Sequence, residues 1–368
     1  MSSRVYFAGL RARSKNENRT NKVGRLFRNA GFGDSVRVGD LTAIKLHFGE
    51  MGGDAFINPI YVREIVERVR EAGGKPFITD TNTLYKGSRH NSVEHIETAI
   101  AHGFDYAVVR APVIIADGLK GRNVQWVEIK GKHFSKVRIA SDIYNADSLI
   151  VMTHFKGHEM AGFGGAIKNL AMGCGSAYGK MDQHSVRPKV ESAKCIGCGT
   201  CIPICPVDAH VLEGGKVFIQ KDICIGCGEC ITVCPQEAIG LSWASEIPPF
   251  LERMTEYAFG ATRNKVNRMG FINFVTRVSP DCDCFPWSDH PIVPDIGILA
   301  SKDPVALDAA CYDLVNQQPG FRDTKLKTGF KPGEDKFLGM RPDVDAKIQL
   351  NYAEELGLGT TDYKLVNL

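Results

Sequence analysis

Eight cysteines fall in two copies of one run: Cys195, Cys198, Cys201 and Cys205 before Pro206, then Cys224, Cys227, Cys230 and Cys234 before Pro235. Each copy reads C-x2-C-x2-C-x3-C-P, the spacing that seats two cubane iron–sulfur clusters with the fourth cysteine of each run ligating the other cluster. Two residues between cysteines let one tight loop aim three thiolates at three corners of a cubane, and the proline that follows stops regular continuation. The expected ligand sets are Cys195, Cys198, Cys201 and Cys234 for one [4Fe-4S] cluster, and Cys224, Cys227, Cys230 and Cys205 for the other. Gly197, Gly199, Gly226 and Gly228 fit this reading, because glycine takes turn conformations and lets backbone N–H groups approach sulfur. A zinc ribbon needs four ligands in pairs and leaves these triplets unexplained.

At 368 residues the chain is too long for such a module alone, and its length predicts two or three domains at roughly 150 residues each. A hydrophobic content of 43% with 24% charged residues allows a substantial buried core. The formal charge of +3 is small and argues for neither a nucleic-acid surface nor an acidic membrane target. The first residues turn polar and basic after one short apolar run, and no apolar stretch approaches the eighteen or so residues of a spanning helix. Eight of the twelve cysteines serve clusters that need reduced thiolates, so the expected compartment is reducing and cytoplasmic, under anaerobic conditions, rather than secreted.

Ahead of the cysteines the chain alternates strand and helix patterns. Strands are expected at 41–46, 76–79, 124–129, 137–140 and 148–152. Asn58 caps a helix that starts with Pro59 and runs to about Ala72, Ser92 caps another through about Ala101, and a further helix covers 166–172. After the cysteine segment the rhythm returns with a helix near 249–259, strands at 272–278 and 296–300, and a helix at 304–317. The expected fold is α/β, a discontinuous domain on a mostly parallel sheet, in parts 1–185 and 243–368, with an α+β cluster module inserted at 186–242. Glu213-Gly214-Gly215-Lys216 fits a central hairpin of that module, which is itself an internal repeat.

A second functional region runs from His154 to His184. It contains His158, a glycine-rich stretch at 162–165, Lys168, Cys174 and Gly179-Lys180, and it starts where a strand ends, the edge at which α/β proteins place ligands. Gly165 leads into a helix N-terminus that can hold an anion, and Lys168 reads as an anchor for a carboxylate or phosphate, or as a proton donor. Lys168, His154, His158 and His184 are the candidate catalytic residues. Met181 after Lys180 excludes a Walker A loop, and no G-x-G-x-x-G supports nucleotide binding here. His47 and Asp80-Thr81-Asn82 end neighbouring strands at the same edge. Cys174, Cys282 and Cys284, with one imidazole, form a possible third metal or cluster site, the alternative being thiols in loops; Cys311 reads as a buried structural thiol on an apolar helix face.

Gly-Gly-Ala-Ile-Lys-Asn-Leu-Ala-Met-Gly-Cys at 164–174, Asp281-Cys282-Asp283-Cys284, and the run from Asp295 to Asp308 together resemble the domain-of-unknown-function 362 family, whose members often carry a two-cluster ferredoxin. The resemblance covers about residues 5–315 and implies an α/β domain with an iron–sulfur module; it implies no reaction. By the family pattern Lys168, Asn169, Cys174, Gly179-Lys180, His184, Cys282 and Cys284 match signature positions.

The expected function is an iron–sulfur redox protein, an oxidoreductase if catalytic, that relays single electrons through two [4Fe-4S] clusters to a site in the α/β domain. Its expected partners are a redox protein and a small anionic substrate, with no nucleic acid and no membrane insertion. Two alternatives stand beside it: a non-catalytic electron carrier that docks on a partner enzyme, and a metal or cluster maturation protein.

Overall fold

The apolar runs flanked by glycine and polar turn residues form the strands of one sheet. The computed structural model describes residues 2–85, 87–184, 187–205, 207–221, 223–224, 229–242 and 247–368. Among these, eight strands build a single sheet: β1 (Ser3–Gly9), β2 (Leu41–Lys45), β3 (Lys75–Asp80), β4 (Val113–Ile115), β5 (Ser148–His154), β6 (Met269–Val275), β7 (Gly297–Ser301) and β8 (Tyr363–Asn367). Their spatial order is β8-β1-β7-β6-β5-β2-β3-β4. β7 runs antiparallel to both of its neighbours and every other pairing is parallel. β5, from before the cysteine segment, pairs with β6 from after it, so one sheet is built from both sides of the insertion.

The central strands are covered on both faces. All seven residues of β5 are buried, and they alternate between two cores: Leu149 and Val151 join one cluster, Ile150 and Met152 the other. Period-two alternation with apolar residues on both faces is what a doubly covered parallel strand requires. One face packs on α1 (Arg19–Asn29), α2 (Pro59–Glu71) and α3 (Ser92–Ala101), which contribute Leu26, Val62, Ile65 and Ala99. The other face packs on α4 (Ala166–Cys174), α5 (Ala177–His184), α6 (Ile247–Thr262) and α7 (Pro304–Asn316), through residues such as Leu170, Met254 and Leu307.

Several sequence expectations are met at their stated positions. Asn58 caps α2 by accepting from the Ile60 N–H at 3.1 Å, with Pro59 in the first turn. α3 begins at Ser92, but its cap is Asn91, whose side chain accepts from Val93 and Glu94 N–H, both at 3.1 Å; the Ser92 hydroxyl donates instead to the Gly118 carbonyl at 2.8 Å. The segments 124–129 and 137–140 form strands, yet they stay outside the main sheet: Val124–Glu128 pairs only with Lys136–Ala140, as a separate antiparallel ribbon. Their short connection favours a hairpin over a crossover, which needs a dozen or more residues.

The helix N-terminus after Gly165 is not open to an anion. Asp308 of α7 occupies it, with Oδ1 accepting from Ala166 N–H at 2.7 Å and Oδ2 from Ile167 N–H at 2.9 Å. Burial pushes this carboxyl up to about 6, and the two backbone N–H groups oppose that rise. A methyl at Gly165 would stand 2.4 Å from Asp308 Oδ1. Gly165→Ala is therefore expected to destabilise the fold by about 2 kcal/mol in urea titration, and an unchanged midpoint would contradict this packing.

The inserted segment has its own small core of Cys195, Cys201, Val217, Cys230, Ala238 and Ile239. Arg187–Val190 pairs antiparallel with Ile239–Ser242, which brings its two ends together, and His210–Glu213 pairs with Lys216–Ile219 across Gly214-Gly215. Gly197 and Gly199 hold φ of 68° and 72°, the left-handed region that a side chain disfavours. Gly226, Gly228, Cys227, Pro206 and the module boundary at Val186 lie outside the described residues. Among the described residues no helix is long and apolar enough to cross a membrane.

Candidate functional site

The parallel strands β2, β3, β5 and β6 end on one edge, and a cavity of about 700 Å³ opens there. This is the edge where α/β sheets bind ligands. His47 and Asp80 follow β2 and end β3, His154 ends β5, and Lys168 projects from α4, so all four reach the cavity from different elements. His158, Lys180, His184, Cys282 and Cys284 also line it.

One wall is a buried ion network. Lys45 Nζ lies 2.9 Å from Asp80 Oδ1, and also donates to the Leu46 carbonyl at 2.8 Å and to Asn169 Oδ1 at 2.7 Å. Arg89 Nε pairs with Glu50 at 3.0 Å, and its Nη1 lies 3.6 Å from Asp80. Burial raises the Asp80 carboxyl, but the Lys45 ammonium, with His95 nearby, outweighs burial and holds it well below the usual carboxylate range. Burial, followed by the Arg89 charge, holds His47 well below an ordinary imidazole.

The Cys282-Asp283-Cys284 turn adjoins this network and forms a second wall. Asp283 accepts from His154 Nδ1 at 3.0 Å and pairs with Lys156 Nζ at 3.0 Å, while His154 Nε2 faces the Thr276 and Arg277 carbonyls at 3.0 and 3.1 Å. Acceptors surround both ring nitrogens, so His154 anchors the turn to the end of β5. Burial raises the Asp283 carboxyl, and the neighbouring His154 and Lys156 charges more than reverse it. Asp281 pairs with Lys325 and Arg341, the Cys284 carbonyl accepts from Tyr85 at 3.2 Å, and the Asp283 carbonyl accepts from Glu50 N–H at 3.0 Å. The hairpin of Lys156–His158 and Gly162–Gly164 approaches this loop closely: Gly157 N–H donates to Ser279 at 2.8 Å, and a methyl on Gly157 would stand 2.3 Å from the Pro280 carbonyl. His154 and His158 thus sit on strands, where Gly157 alone favours a loop.

Two further lining cations have, among the described residues, no carboxylate partner within ion-pair distance. Lys168 Nζ lies 3.6 Å from Cys282 Sγ, and Lys180 Nζ donates to Thr81 Oγ1 at 2.5 Å and to the Gly175 carbonyl at 2.9 Å. Burial in the wall, with Lys156 nearby, pushes Lys168 down to about 8. Burial also pushes Lys180 down to about 8, against the pull of Asp117. Burial and the Lys168 charge keep His158 well below its usual value and take His184 to about 3. Apolar rings complete the lining: Phe250 stacks on His184 at 4.9 Å, and Phe285 stacks on Trp287 at 4.8 Å.

Cys282 and Cys284 are joined as a disulfide, and a ring nitrogen of His158 lies within 4.8 Å of both sulfurs. Cys174 does not join them. It closes α4, is fully buried, and its thiol donates to the Asn169 carbonyl at 3.7 Å, in the core. The expected trio therefore falls apart because Cys174 ends a helix that is packed on α6. Cys311 is fully buried and accepts from Asn273 at 3.4 Å.

In the inserted module, Cys195, Cys198, Cys201 and Cys234 line one small cavity, so a cysteine of the second run stands with three of the first. Val217 N–H donates to Cys195 Sγ at 3.5 Å; Ala209 N–H donates to Cys205 Sγ and Ala238 N–H to Cys234 Sγ, each at 3.2 Å. The last two are the same bond in the two copies, from the residue four beyond the final cysteine. Four sulfurs around one space, with amides aimed at sulfur, fit an iron–sulfur cluster. Of the other set, Cys205, Cys224 and Cys230 are described and Cys227 lies outside the described residues.

Lys45, Glu50 and Arg89 belong to the site and escape sequence reading, whereas Lys156 and Asp283 lie inside stretches that the sequence marks without being singled out there. A lysine inside the apolar run Leu41-Thr42-Ala43-Ile44-Lys45-Leu46 is the one local signal among them; nothing near Arg89 marks it.

Comparisons with known proteins agree with two parts of this picture. Residues 42–313 match the family described as "Domain of unknown function (DUF362)". A stretch of 27 residues is 56% identical to Ferredoxin-2 of Desulfomicrobium norvegicum, covering 7% of this chain and 46% of that protein. The chain thus carries a ferredoxin-like segment. Among solved structures, the lactate racemase apoprotein from Thermoanaerobacterium thermosaccharolyticum aligns with TM-score 0.45 and 13% identity over 86% of this chain and 58% of that one. A Thermotoga maritima protein aligns with TM-score 0.40 and 8% identity over 93% of this chain and 59% of its own.

Proposed function

Because the chain belongs to the DUF362 family, whose description names no reaction, we propose its function from the site itself: an iron–sulfur protein that passes single electrons from its cysteine module to a small anion in the α/β cavity. Two [4Fe-4S] clusters, on the crossed cysteine sets, would supply the low-potential single electrons. One observation carries the reading. The chain enters the module from His184 and returns from it into α6, and His184 and Phe250 of α6 both line the cavity. Arg187, the first residue of the module's outer strand, follows three residues after His184, so it lies within about 11 Å of it whatever the path. The module is tethered at the cavity rim, an arrangement that supports transfer without an encounter between separate molecules.

The substrate class follows from the lining. Lys168 and Lys180 provide positive charge that, among the described residues, faces no carboxylate within ion-pair distance, and the nearby rings of Phe250, Phe285 and Trp287 suit a flat apolar body. A carboxylate or phosphate on an unsaturated or aromatic skeleton satisfies both. Lys168 holds the anion, and its ammonium is placed to donate a proton when the bound molecule gains electrons.

Cinnamate is a suitable probe, followed by calorimetry on the anaerobic protein. The binding form of Lys168 is the ammonium, which is lost as pH rises through about 8. Affinity is expected to hold from pH 6 to 7 and to fall above 8, and Lys168→Met to weaken binding at pH 7 by about tenfold or more, the worth of one charge-assisted hydrogen bond. Equal affinity in the variant, or a flat profile to pH 9, would remove Lys168 from the site.

A further inference from the structure

We propose that Cys282 and Cys284 are a redox-active disulfide that collects two single electrons from the cysteine module and opens to a dithiol facing the cavity. This rests on the relay reading above and adds the group at which single electrons become a pair. The step balances within the chain. The S–S bond breaks, two electrons arrive one at a time from a low-potential iron–sulfur donor that is oxidised by one electron each time, and each sulfur takes up one proton.

Four observations carry it. The two sulfurs are bonded to each other and both line the cavity. Lys168 Nζ, 3.6 Å from Cys282 Sγ, is positioned to stabilise a thiolate there and to deliver its proton. Cys282 is buried while Cys284 is half-buried, so the pair has one guarded residue and one that is less so. The turn is held independently of the S–S bond, by Asp283 on His154 and Lys156 and by Asp281 on Lys325 and Arg341, so opening leaves both sulfurs in place.

A metal held by His158, Cys282 and Cys284 is the rival, and the histidine argues against it. His158 Nδ1 accepts from Met160 and Ala161 N–H, both at 3.1 Å. A neutral ring with Nδ1 so engaged carries its proton on Nε2, which leaves neither nitrogen a lone pair for a metal. Nε2–H then faces the Glu159 carboxylate, with Oε1 at 3.4 Å.

The test is a reductive titration of the anaerobic holoprotein with dithionite, run on the wild type and on the C282S/C284S double variant, with maleimide labelling and peptide mass spectrometry at each end point. Wild type is expected to take about four electrons per chain, two for the clusters and two for the disulfide, and the double variant about two. The wild-type peptide spanning Cys282 and Cys284 should gain two labels only after reduction. Equal electron uptake, two labels before reduction, or a non-iron metal ion that is bound by the wild type and lost in the variant would overturn the proposal. Iron counted on the same samples separates its failure from that of the relay: absent iron removes the donor, whereas about eight irons with equal uptake reject the disulfide alone.

Discussion

Cys234→Ala, made in the second cysteine run, removes the same cluster as Cys195→Ala in the first. Each variant is expected to lower the iron content from about eight to about four per chain, and both should lose one and the same paramagnetic signal after reduction. Cys205→Ala should lose the other. The reason is the crossed arrangement: Cys234 stands around one small cavity with Cys195, Cys198 and Cys201, although 33 positions separate it from Cys201, the nearest of the three in sequence. Low-temperature electron paramagnetic resonance on anaerobic samples checks it, and far-ultraviolet circular dichroism tracks the α/β sheet meanwhile. If Cys195→Ala and Cys234→Ala lost different signals, each run would bind its own cluster.

Lys45→Met is expected to cost about 3 kcal/mol of stability, the price of stranding a buried charge. Lys45 is fully buried and Asp80 nearly so, and the lysine also satisfies the Leu46 carbonyl and Asn169. Without it the Asp80 carboxylate keeps Arg89 at 3.6 Å and His95 at 3.7 Å, weaker substitutes at longer range. Urea denaturation of the variant against the wild type, at constant iron content, measures the loss. A change under 1 kcal/mol would mean that Arg89 carries Asp80 alone.

How much of this was legible from residue order depends on the range of the interaction. The crossed cysteine sets follow from a local spacing, and the helix that starts with Asn58-Pro59 is marked by its own cap. The strands at 124–128 and 136–140 were visible as strands, but nothing local says that they pair only with each other. The cap of α3 moved by one residue because Asn91 and Ser92 are both good caps, and the Ser92 hydroxyl is taken by Gly118. Long-range pairings were hidden altogether. Asp308 fills the helix end after Gly165 from 142 positions away, and Asp283 reaches His154 across 129. Lys168 stood out in the sequence because a lysine among alanine, isoleucine and leucine is unusual; its position beside Cys282 depends on the fold. Cys174 shared a sequence signature with Cys282 and Cys284 but is separated from them by the helix it ends.

The account depends on paired cubane clusters being held by the inserted module. Iron and acid-labile sulfide counted on anaerobically purified chain, with electron paramagnetic resonance after reduction, test this most directly. About eight irons and eight sulfides, with two interacting signals on full reduction, are expected; two bound metal ions without sulfide and without a signal would contradict it.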